Sequence, residues 1–300
     1  MQILLTLICD PARPVIDVEL LDAVRDRLED IGGIAGTPDW LAPGIACDLA
    51  CAGVSPAEAA PAIRTVIGNA LVDLVIHEER EERRRKLLIA DMDSTIITVE
   101  CLDEIADFAG RKKEVAAITE QAMRGELEFE AALRARIGML GPLPEATLAT
   151  AYAERVKLMP GAQALVQTMR ANGAQCVLVS GGFTYFTERV AREVGFHETY
   201  ANRLLFENGR LTGVADPILG REAKLATLRH QCEKLQITPD QALAVGDGAN
   251  DLAMIEVAGM GVAYRAKPVV AAAARAQINH ADLTALLYLQ GYRSSEFHAG

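Results

Sequence analysis

The sequence has no long apolar run, no excess of basic residues and no paired cysteine motif, and each absence narrows what the chain can be. No stretch of about eighteen apolar residues is present to span a bilayer. The apolar opening is short, follows no basic segment and has no small-residue cleavage pattern, so we expect no signal peptide. The formal charge of −11 argues against nucleic acid or an anionic membrane as a partner.

The six cysteines show no Cys-x-x-Cys spacing, which favours free thiols in a reducing compartment and therefore a cytoplasmic location. Cys47 and Cys51 are the closest pair in sequence. No second pair or neighbouring histidine accompanies them, so a metal site there is disfavoured. The length of 300 residues, half of them apolar, leaves room for two domains with sizeable cores.

The stretch around which the chain is organised is residues 86–106, KLLIADMDSTIITVECLDEIA. Its apolar residues 87–90 predict a strand that is buried on both faces, and the strand ends in two carboxylates, Asp91 and Asp93. Ligands of open parallel sheets bind beyond the carboxyl ends of the strands, so two acids placed there indicate chemistry. For an Asp-x-Asp motif alone, an acidic turn that caps the next helix is the alternative.

Two further segments have the same form, an apolar strand followed by a polar turn. In chain order these turns supply Ser180, Gly181 and Gly182, and then Asp247, Asn250 and Asp251. A candidate cation, Lys224, lies between them. With the Asp91 motif, these elements resemble the haloacid dehalogenase superfamily of phosphotransferases, in which the order is nucleophile, hydroxyl, lysine and acidic pair.

The resemblance implies a Rossmann-like, doubly wound parallel α/β core in which two aspartates share the chemistry. Asp91 would attack phosphorus to form an aspartyl-phosphate. Asp93 would protonate the leaving alcohol and then deprotonate the water that hydrolyses the intermediate. Because two carboxylates and a phosphate need cations in one pocket, we expect Mg²⁺, held by Asp91, Asp247 and the backbone carbonyl of Asp93.

The same resemblance implies roles for the groups around the phosphate. Lys224 would neutralise both the phosphate and the nucleophile, although an isolated lysine is usually a helix-surface residue. Ser180 and the backbone of Gly181 would donate to phosphoryl oxygens, with Gly182 beside them. Asp251 would orient metal-bound waters or Lys224 from behind the ligands.

Three segments together, DMDSTIITVECLDEIADFAG, SGGF and VGDGANDLAMI, closely resemble the phosphoserine phosphatases, over about residues 86–282. This implies hydrolysis of O-phospho-L-serine, the last step of serine biosynthesis. Glu100 would take the substrate ammonium and Arg136 its carboxylate, and Arg134 is the alternative to Arg136. The remaining substrate contacts implied are an apolar wall from Met123 and Phe129, and a polar contact from Asn250.

The order of strand and helix signals in residues 1–85 predicts a small ferredoxin-like α+β domain. Element order alone makes it similar to amino-acid-sensing regulatory domains, and a role in folding or dimerisation is the alternative. Residues 86–300 would form the phosphatase domain, with an inserted helical cap at about 100–158. We expect the charged stretch 78–86 to be a solvated helical linker, and the last residues of the chain to be loosely held.

Two other functions stay open at this point. One is a phosphotransferase, or a phosphatase of another small phosphate ester, since any acceptor can displace an aspartyl-phosphate. The other is an amino-acid-binding regulatory protein in which residues 1–85 sense the ligand. A homodimer, and serine binding to the N-terminal domain of an active phosphatase, are also left open.

Overall fold

The computed structural model describes residues 2–78 and 82–298. Residues 2–78 form a five-stranded antiparallel sheet with two helices. The elements in chain order are β1 (Gln2–Cys9), α1 (Val18–Asp30), β2 (Ile34–Ala35), β3 (Asp39–Ala42), β4 (Ala46–Ala52), α2 (Pro56–Ile67) and β5 (Val72–Glu78). β1 lies between β4 and β5, and both β2 and β3 pair with β4. This is the split βαβ arrangement of the predicted ferredoxin-like fold.

Short polar side chains begin both helices of this sheet. The Asp17 side chain accepts a hydrogen bond from the backbone of Leu20 at the start of α1. Ser55 and Glu58 form a capping box at the start of α2, so backbone donors that lack helical partners are satisfied. In the described residues, no helix is both long and apolar enough to cross a bilayer.

The larger unit begins at β6 and contains a sheet of six parallel strands in the order β13-β12-β11-β6-β7-β8. Its elements are β6 (Leu87–Ala90), α3 (Cys101–Phe108), α4 (Lys112–Met123), α5 (Phe129–Met139), α6 (Ala146–Arg155), α7 (Ala162–Ala171), β7 (Gln175–Phe183), α8 (Thr184–Val194), β8 (Glu198–Asn202), β9 (Leu204–Glu207), β10 (Arg210–Val214), α9 (Arg221–Leu235), β11 (Ala242–Gly246), α10 (Leu252–Val257), β12 (Met260–Tyr264), α11 (Pro268–Ala273), β13 (Ala276–Ile278) and α12 (Ala285–Tyr288). β6 is central, with later strands added on both sides, which confirms the predicted doubly wound sheet.

Helices α3 to α6 interrupt this alternation between β6 and α7, and we call them the cap. The chain enters and leaves the cap through two adjacent antiparallel segments. Ile97 and Leu158 form a β-bridge, and the backbone of Thr98 donates to the carbonyl of Lys157 at 3.0 Å. The cap is therefore connected to the sheet by a short paired ribbon.

The antiparallel sheet packs against the larger unit through a buried carboxylate. Asp73, on β5, is 4% exposed. Its two oxygens accept from the backbone N–H groups of Asn279, His280 and Ala281, with the shortest distances 2.8 to 3.0 Å. Hydrogen bonds to a charged acceptor are stronger than neutral ones, so this contact fixes the edge of the sheet beside β13.

Two expectations fail in the segments that join these units. Residues 82–86 have no regular secondary structure, so the helical linker is wrong there, and residues 79–81 of that prediction lie outside the described residues. Arg83 is drawn inward by Asp48 and by the carbonyl of Leu289. The C-terminal segment 283–292 is almost wholly buried, so the prediction of a loosely held end is wrong for it.

Candidate active site

Three neighbouring strands bring the predicted motifs together. β6 lies between β7 and β11, and Asp91, Ser180 and Asp247 stand at or just beyond the carboxyl ends of these strands. The backbone N–H of Asp91 still donates to Val245 at 3.0 Å, so the sheet ladder continues up to the motif. All three side chains are buried. Parallel pairing thus converts three distant segments into one site.

Lys224 is completely buried beneath the aspartates, on the first turns of α9. Its Nζ donates to Oδ1 of Asp91 and to Oδ1 of Asp251, each at 2.5 Å. Burial alone would lower the pKa of Lys224, but the two carboxylates raise it, so the ammonium stays charged. The predicted lysine is therefore an internal countercharge.

Three carboxylates form a cluster suited to a metal ion. One oxygen each of Asp91, Asp247 and Asp251 lies within 4.8 Å of the others. Burial raises the pKa of Asp91 to about 8 and also raises the pKa of Asp247, because each charge is removed from water and faces other acids. An all-oxygen donor set with excess negative charge fits a hard divalent cation. Asp251, which we expected behind the ligands, thus lies both in this cluster and against Lys224.

The Asp93 carboxylate points away from this cluster toward the cap. Its Oδ1 accepts from the backbone of Cys101 at 2.9 Å and its Oδ2 accepts from Ser180 Oγ at 3.2 Å. Burial raises its pKa. A Cβ added at Gly182 would lie 2.6 Å from Asp93 Oδ2, so only glycine permits this approach. The side chain lies outside the three-carboxylate cluster, and only its backbone carbonyl was predicted to ligate metal.

Glu100 lies at the start of α3, where its carboxylate accepts a hydrogen bond from a side chain and does not cap the helix. Ser94 Oγ donates to Glu100 Oε1 at 2.5 Å. Ser94 has a positive φ of 57°, an uncommon conformation for a non-glycine residue. Burial, followed by the charge of Asp93, raises the pKa of Glu100 to about 8. The site therefore contains a desolvated acid, and its charge acts on the nearby Arg136.

The two candidate arginines of α5 have different surroundings. Arg136 is buried, and its Nη1 donates to Thr119 Oγ1 at 3.0 Å. Arg134 is exposed and is held by Glu130, with which it makes a 2.7 Å contact, and by Asp216. Of the two, only Arg136 lines the cavity above Asp91.

This cavity is about 40 Å³ and lies between the cap on one side and the motif loops on the other. The predicted residues that line it are Asp91, Asp93, Glu100, Met123, Phe129, Arg136, Gly181, Gly182 and Asn250. Ser180, Lys224, Asp247 and Asp251 lie outside this lining. The Oδ1 atom of Asn250 is buried without a hydrogen-bond partner in the described part of the chain. An unsatisfied acceptor of this kind indicates a missing ligand group or water.

Five residues that line the cavity were not predicted: Leu102, Thr119, Ala122, Leu133 and Phe183. The signal for Thr119 was weak because its helix, α4, shows no motif, and a single threonine carries no chemistry by itself. Leu102 and Leu133 could have been found from their positions beside Glu100 and Arg136 on the same helices.

Comparison with known proteins defines the class first. The haloacid dehalogenase-like hydrolase family matches residues 88–256, which contain the nucleophile motif, the lysine and the acidic pair. A haloacid dehalogenase family hydrolase from Salmonella enterica serovar Typhi superposes over 96% of this chain and 98% of its own, with a TM-score of 0.81 and 30% identity.

Two further comparisons show the family within this class. A phosphoserine phosphatase from Polaromonas sp. is 45% identical over 79% of this chain and 99% of its own length. A substrate-bound phosphoserine phosphatase complex superposes with a TM-score of 0.66 at 35% identity, over 68% of this chain and 98% of that one. The chain therefore belongs to the phosphoserine phosphatase family of haloacid dehalogenase-like hydrolases. The family predicted from the motifs is confirmed, and a purely regulatory protein is no longer retained.

Proposed function

We propose that this protein is a Mg²⁺-dependent phosphatase that hydrolyses O-phospho-L-serine to L-serine and phosphate. The observation that carries the proposal is a single cavity lined by two kinds of group. The carboxylates of Asp91 and Asp93 line it together with Glu100 and Arg136. A phosphate bound at the aspartates would leave the amino acid within the same cavity, beside Glu100 and Arg136.

The catalytic step uses the aspartate that is fixed by a lysine. Lys224 holds Oδ1 of Asp91, so Oδ2 is the oxygen that attacks phosphorus. The bond from phosphorus to the serine oxygen breaks, and protonated Asp93 gives its proton to that oxygen. Asp93 then takes a proton from the water that attacks the aspartyl-phosphate, which returns Asp91 and releases phosphate. The raised pKa of Asp93 supports its role as a proton donor.

Mg²⁺ is the cation we propose for the acidic cluster. Asp91, Asp247 and the backbone carbonyl of Asp93 would hold it, with Asp251 supporting Lys224 from the other side. A bound Mg²⁺ would neutralise charge on the phosphoryl oxygens. The ligand chemistry supports this choice because Mg²⁺ prefers carboxylate and water oxygens to nitrogen or sulfur.

The remaining contacts orient the substrate. The Ser180 hydroxyl and the Gly181 backbone would donate to phosphoryl oxygens. Asn250 would contact phosphate through its amide N–H or a substrate donor through its unpartnered Oδ1. Glu100 would bind the ammonium, whose positive charge favours the ionised form of this buried acid. Arg136 would hold the carboxylate in a bidentate contact. Met123 and Phe129 would exclude water from the apolar side of the cavity.

Phosphate release from a panel of substrates tests the proposal. The panel is O-phospho-L-serine, O-phosphothreonine, phosphohomoserine and an aryl phosphate, each with and without Mg²⁺. We expect Mg²⁺-dependent turnover with a strong preference for phosphoserine. Activity confined to the aryl ester would retain Asp91 chemistry but reject the assignment of Glu100 and Arg136. Transfer of phosphate to an added alcohol would favour the phosphotransferase alternative.

For the chain as a whole, we propose a division into residues 1–85 and 86–300, with the cap at about 100–158. The ferredoxin-like topology of residues 2–78 supports a regulatory site for serine there, and a homodimer is part of the same proposal. Titration calorimetry would test it: two serines per chain are expected, whereas one serine that only competes with substrate would contradict it. The buried free thiols support a cytoplasmic location.

A further inference from the structure

A chain of three buried side chains from three cap helices includes Arg136 and two residues without an assigned role. Asp103 lies on α3, Thr119 on α4 and Arg136 on α5, and they are 8%, 5% and 6% exposed. Thr119 Oγ1 donates to Asp103 Oδ1 at 2.6 Å and accepts from Arg136 Nη1 at 3.0 Å. Thr119 and Arg136 both line the cavity.

We infer that Thr119 and Asp103 are positioning residues that aim the Arg136 guanidinium at the substrate carboxylate. This inference rests on the proposed function, in which Arg136 is the carboxylate-binding group. The evidence is the direction of the two hydrogen bonds. Once the hydroxyl proton of Thr119 is assigned to one acceptor, the orientation of the hydroxyl is fixed.

The Thr119 hydroxyl has one proton and two acceptor lone pairs. Two acceptors compete for the proton: the Asp103 carboxylate at 2.6 Å and the carbonyl of Val115 at 3.1 Å. The shorter bond to a charged acceptor is the stronger one. Asp103 therefore takes the proton, and a lone pair of the oxygen faces Arg136.

The indirect arrangement leaves the guanidinium available. A direct, bidentate contact with an aspartate would occupy the two N–H groups that a substrate carboxylate needs. Apart from Thr119, the acceptor assigned to Arg136 in the described residues is the carbonyl of Ala132, at 3.3 Å from Nε. The charges of Glu100 and then Asp103 offset part of the cost of burying the cation, and Asp103 does so without using its binding edge.

The test compares two substrates that differ only in the carboxylate. O-phosphoethanolamine keeps the phosphate and ammonium of phosphoserine and lacks the carboxylate. We expect Thr119→Val to raise KM for phosphoserine about tenfold with little change in kcat, the size of one lost hydrogen bond to a charged group. Kinetics on phosphoethanolamine should change less than twofold. Thr119→Ser, which restores the hydroxyl, should recover the preference for phosphoserine.

The controls separate this inference from the proposed function. Thr187→Val removes another buried hydroxyl, whose bond stays within its own helix, and should leave both substrates unaffected. Arg136→Met should abolish the preference for phosphoserine. If Arg136→Met does so while Thr119→Val keeps the preference, the positioning role is wrong and the proposed function stands. If Arg136→Met has no effect on the preference, both are wrong.

A second variant keeps the inference testable if the Thr119→Val protein fails to fold. Asp103→Asn keeps an acceptor for the Thr119 hydroxyl and removes the negative charge. We expect a partial loss of preference for phosphoserine, smaller than that of Arg136→Met, in a protein whose thermal unfolding is checked beside the wild type. An unchanged ratio of kcat/KM for the two substrates in this variant would contradict the inference.

Discussion

At the scale of single residues, the site depends on close approaches that tolerate no added atoms. Gly182 is the clearest case, because a Cβ there would lie 2.6 Å from Asp93 Oδ2 and 3.0 Å from Ser180 Oγ. These two groups are hydrogen-bonded to each other. A methyl group at this position must therefore displace the proposed acid and base.

We predict that Gly182→Ala lowers kcat at least about tenfold, because Asp93 must leave its hydrogen bond with Ser180. KM should change less, since Glu100 and Arg136 are untouched. Gly138→Ala, within α5, is the control: no atom lies within 4 Å of its added Cβ. The control should keep its activity and gain about 0.5 to 1 kcal/mol of stability. Equal kcat values for the two variants would contradict the account.

The buried acids give the site a defined dependence on pH. Burial raises the pKa of Asp91 to about 8 and also raises the pKa of Asp247. In the metal-free protein the raised pKa values favour proton binding by these carboxyls, and a metal must displace those protons. We therefore expect Mg²⁺ binding to release protons and to tighten between about pH 6 and pH 8.

The stability of the metal-free protein should decrease over the pH range in which Mg²⁺ binding tightens. A folded pKa above the unfolded value means that the folded state binds more protons, so stability falls as pH rises through this range. The thermal stabilisation by Mg²⁺ should then grow with pH. Calorimetry in two buffers of different ionisation enthalpy measures the released protons. Heats that do not depend on the buffer would contradict the raised pKa values.

At the scale of elements, the cap leaves little room above the aspartates. The cavity of about 40 Å³ is far below the roughly 300 Å³ at which small-molecule pockets begin. One contact that holds the cap is the ion pair of Lys267 Nζ, after β12, with Glu120 Oε2 on α4, at 2.8 Å. The backbone N–H of Lys267 also donates to Asp247. This pair therefore joins the cap to the strand that follows the acidic cluster.

We predict that Lys267→Met raises KM for substrate up to about fivefold at low salt, because a partly exposed ion pair contributes about 0.2 to 1 kcal/mol. The effect should shrink as salt increases. Glu120→Gln should match it, and the double variant should add nothing further. Glu114→Gln breaks the Arg111–Glu114 pair at the start of α4 and is the control. A double variant with twice the effect would show that the two residues act independently.

At the scale of the whole molecule, Arg83 contacts three parts of the chain that are distant in sequence. Its guanidinium contacts the Asp48 carboxylate on β4, the Thr6 hydroxyl on β1 and the carbonyl of Leu289 in the C-terminal segment. Arg83 and Asp48 are mostly buried, with side chains 14% and 6% exposed. Neighbouring Arg84 pairs with Glu296 on the surface.

We predict that Arg83→Met destabilises the protein by about 3 to 5 kcal/mol, because it leaves Asp48 buried without its cation. Arg84→Met should cost about 1 kcal/mol or less, since its pair is exposed. Denaturant unfolding measures both variants, and kcat at a permissive temperature should equal the wild-type value in each. Equal stabilities of the two variants would mean that the buried pair contributes no more than the exposed one.

The sequence predicts those parts of the molecule whose cause is local. The strand before Asp91 depends on a contiguous apolar run, and it agrees with the structure. An edge strand such as β8, with the sequence ETYAN, is half exposed and polar, so it has no such run. The burial of residues 283–292 depends on the packing of two sheets, and no local pattern encodes it. No local pattern identifies Thr119 either, because its role comes from partners on two other helices.

The most direct test of the central claim is to find the phosphoryl group on the protein during turnover. Phosphoserine and Mg²⁺ are mixed with enzyme, the reaction is stopped in acid, and digested peptides are analysed by mass spectrometry. We predict one phosphoryl group on Asp91, removable by hydroxylamine, and none in Asp91→Asn, which should also lose turnover by at least about 10³-fold. A phosphoryl group on another residue, or undiminished turnover by Asp91→Asn, would contradict it.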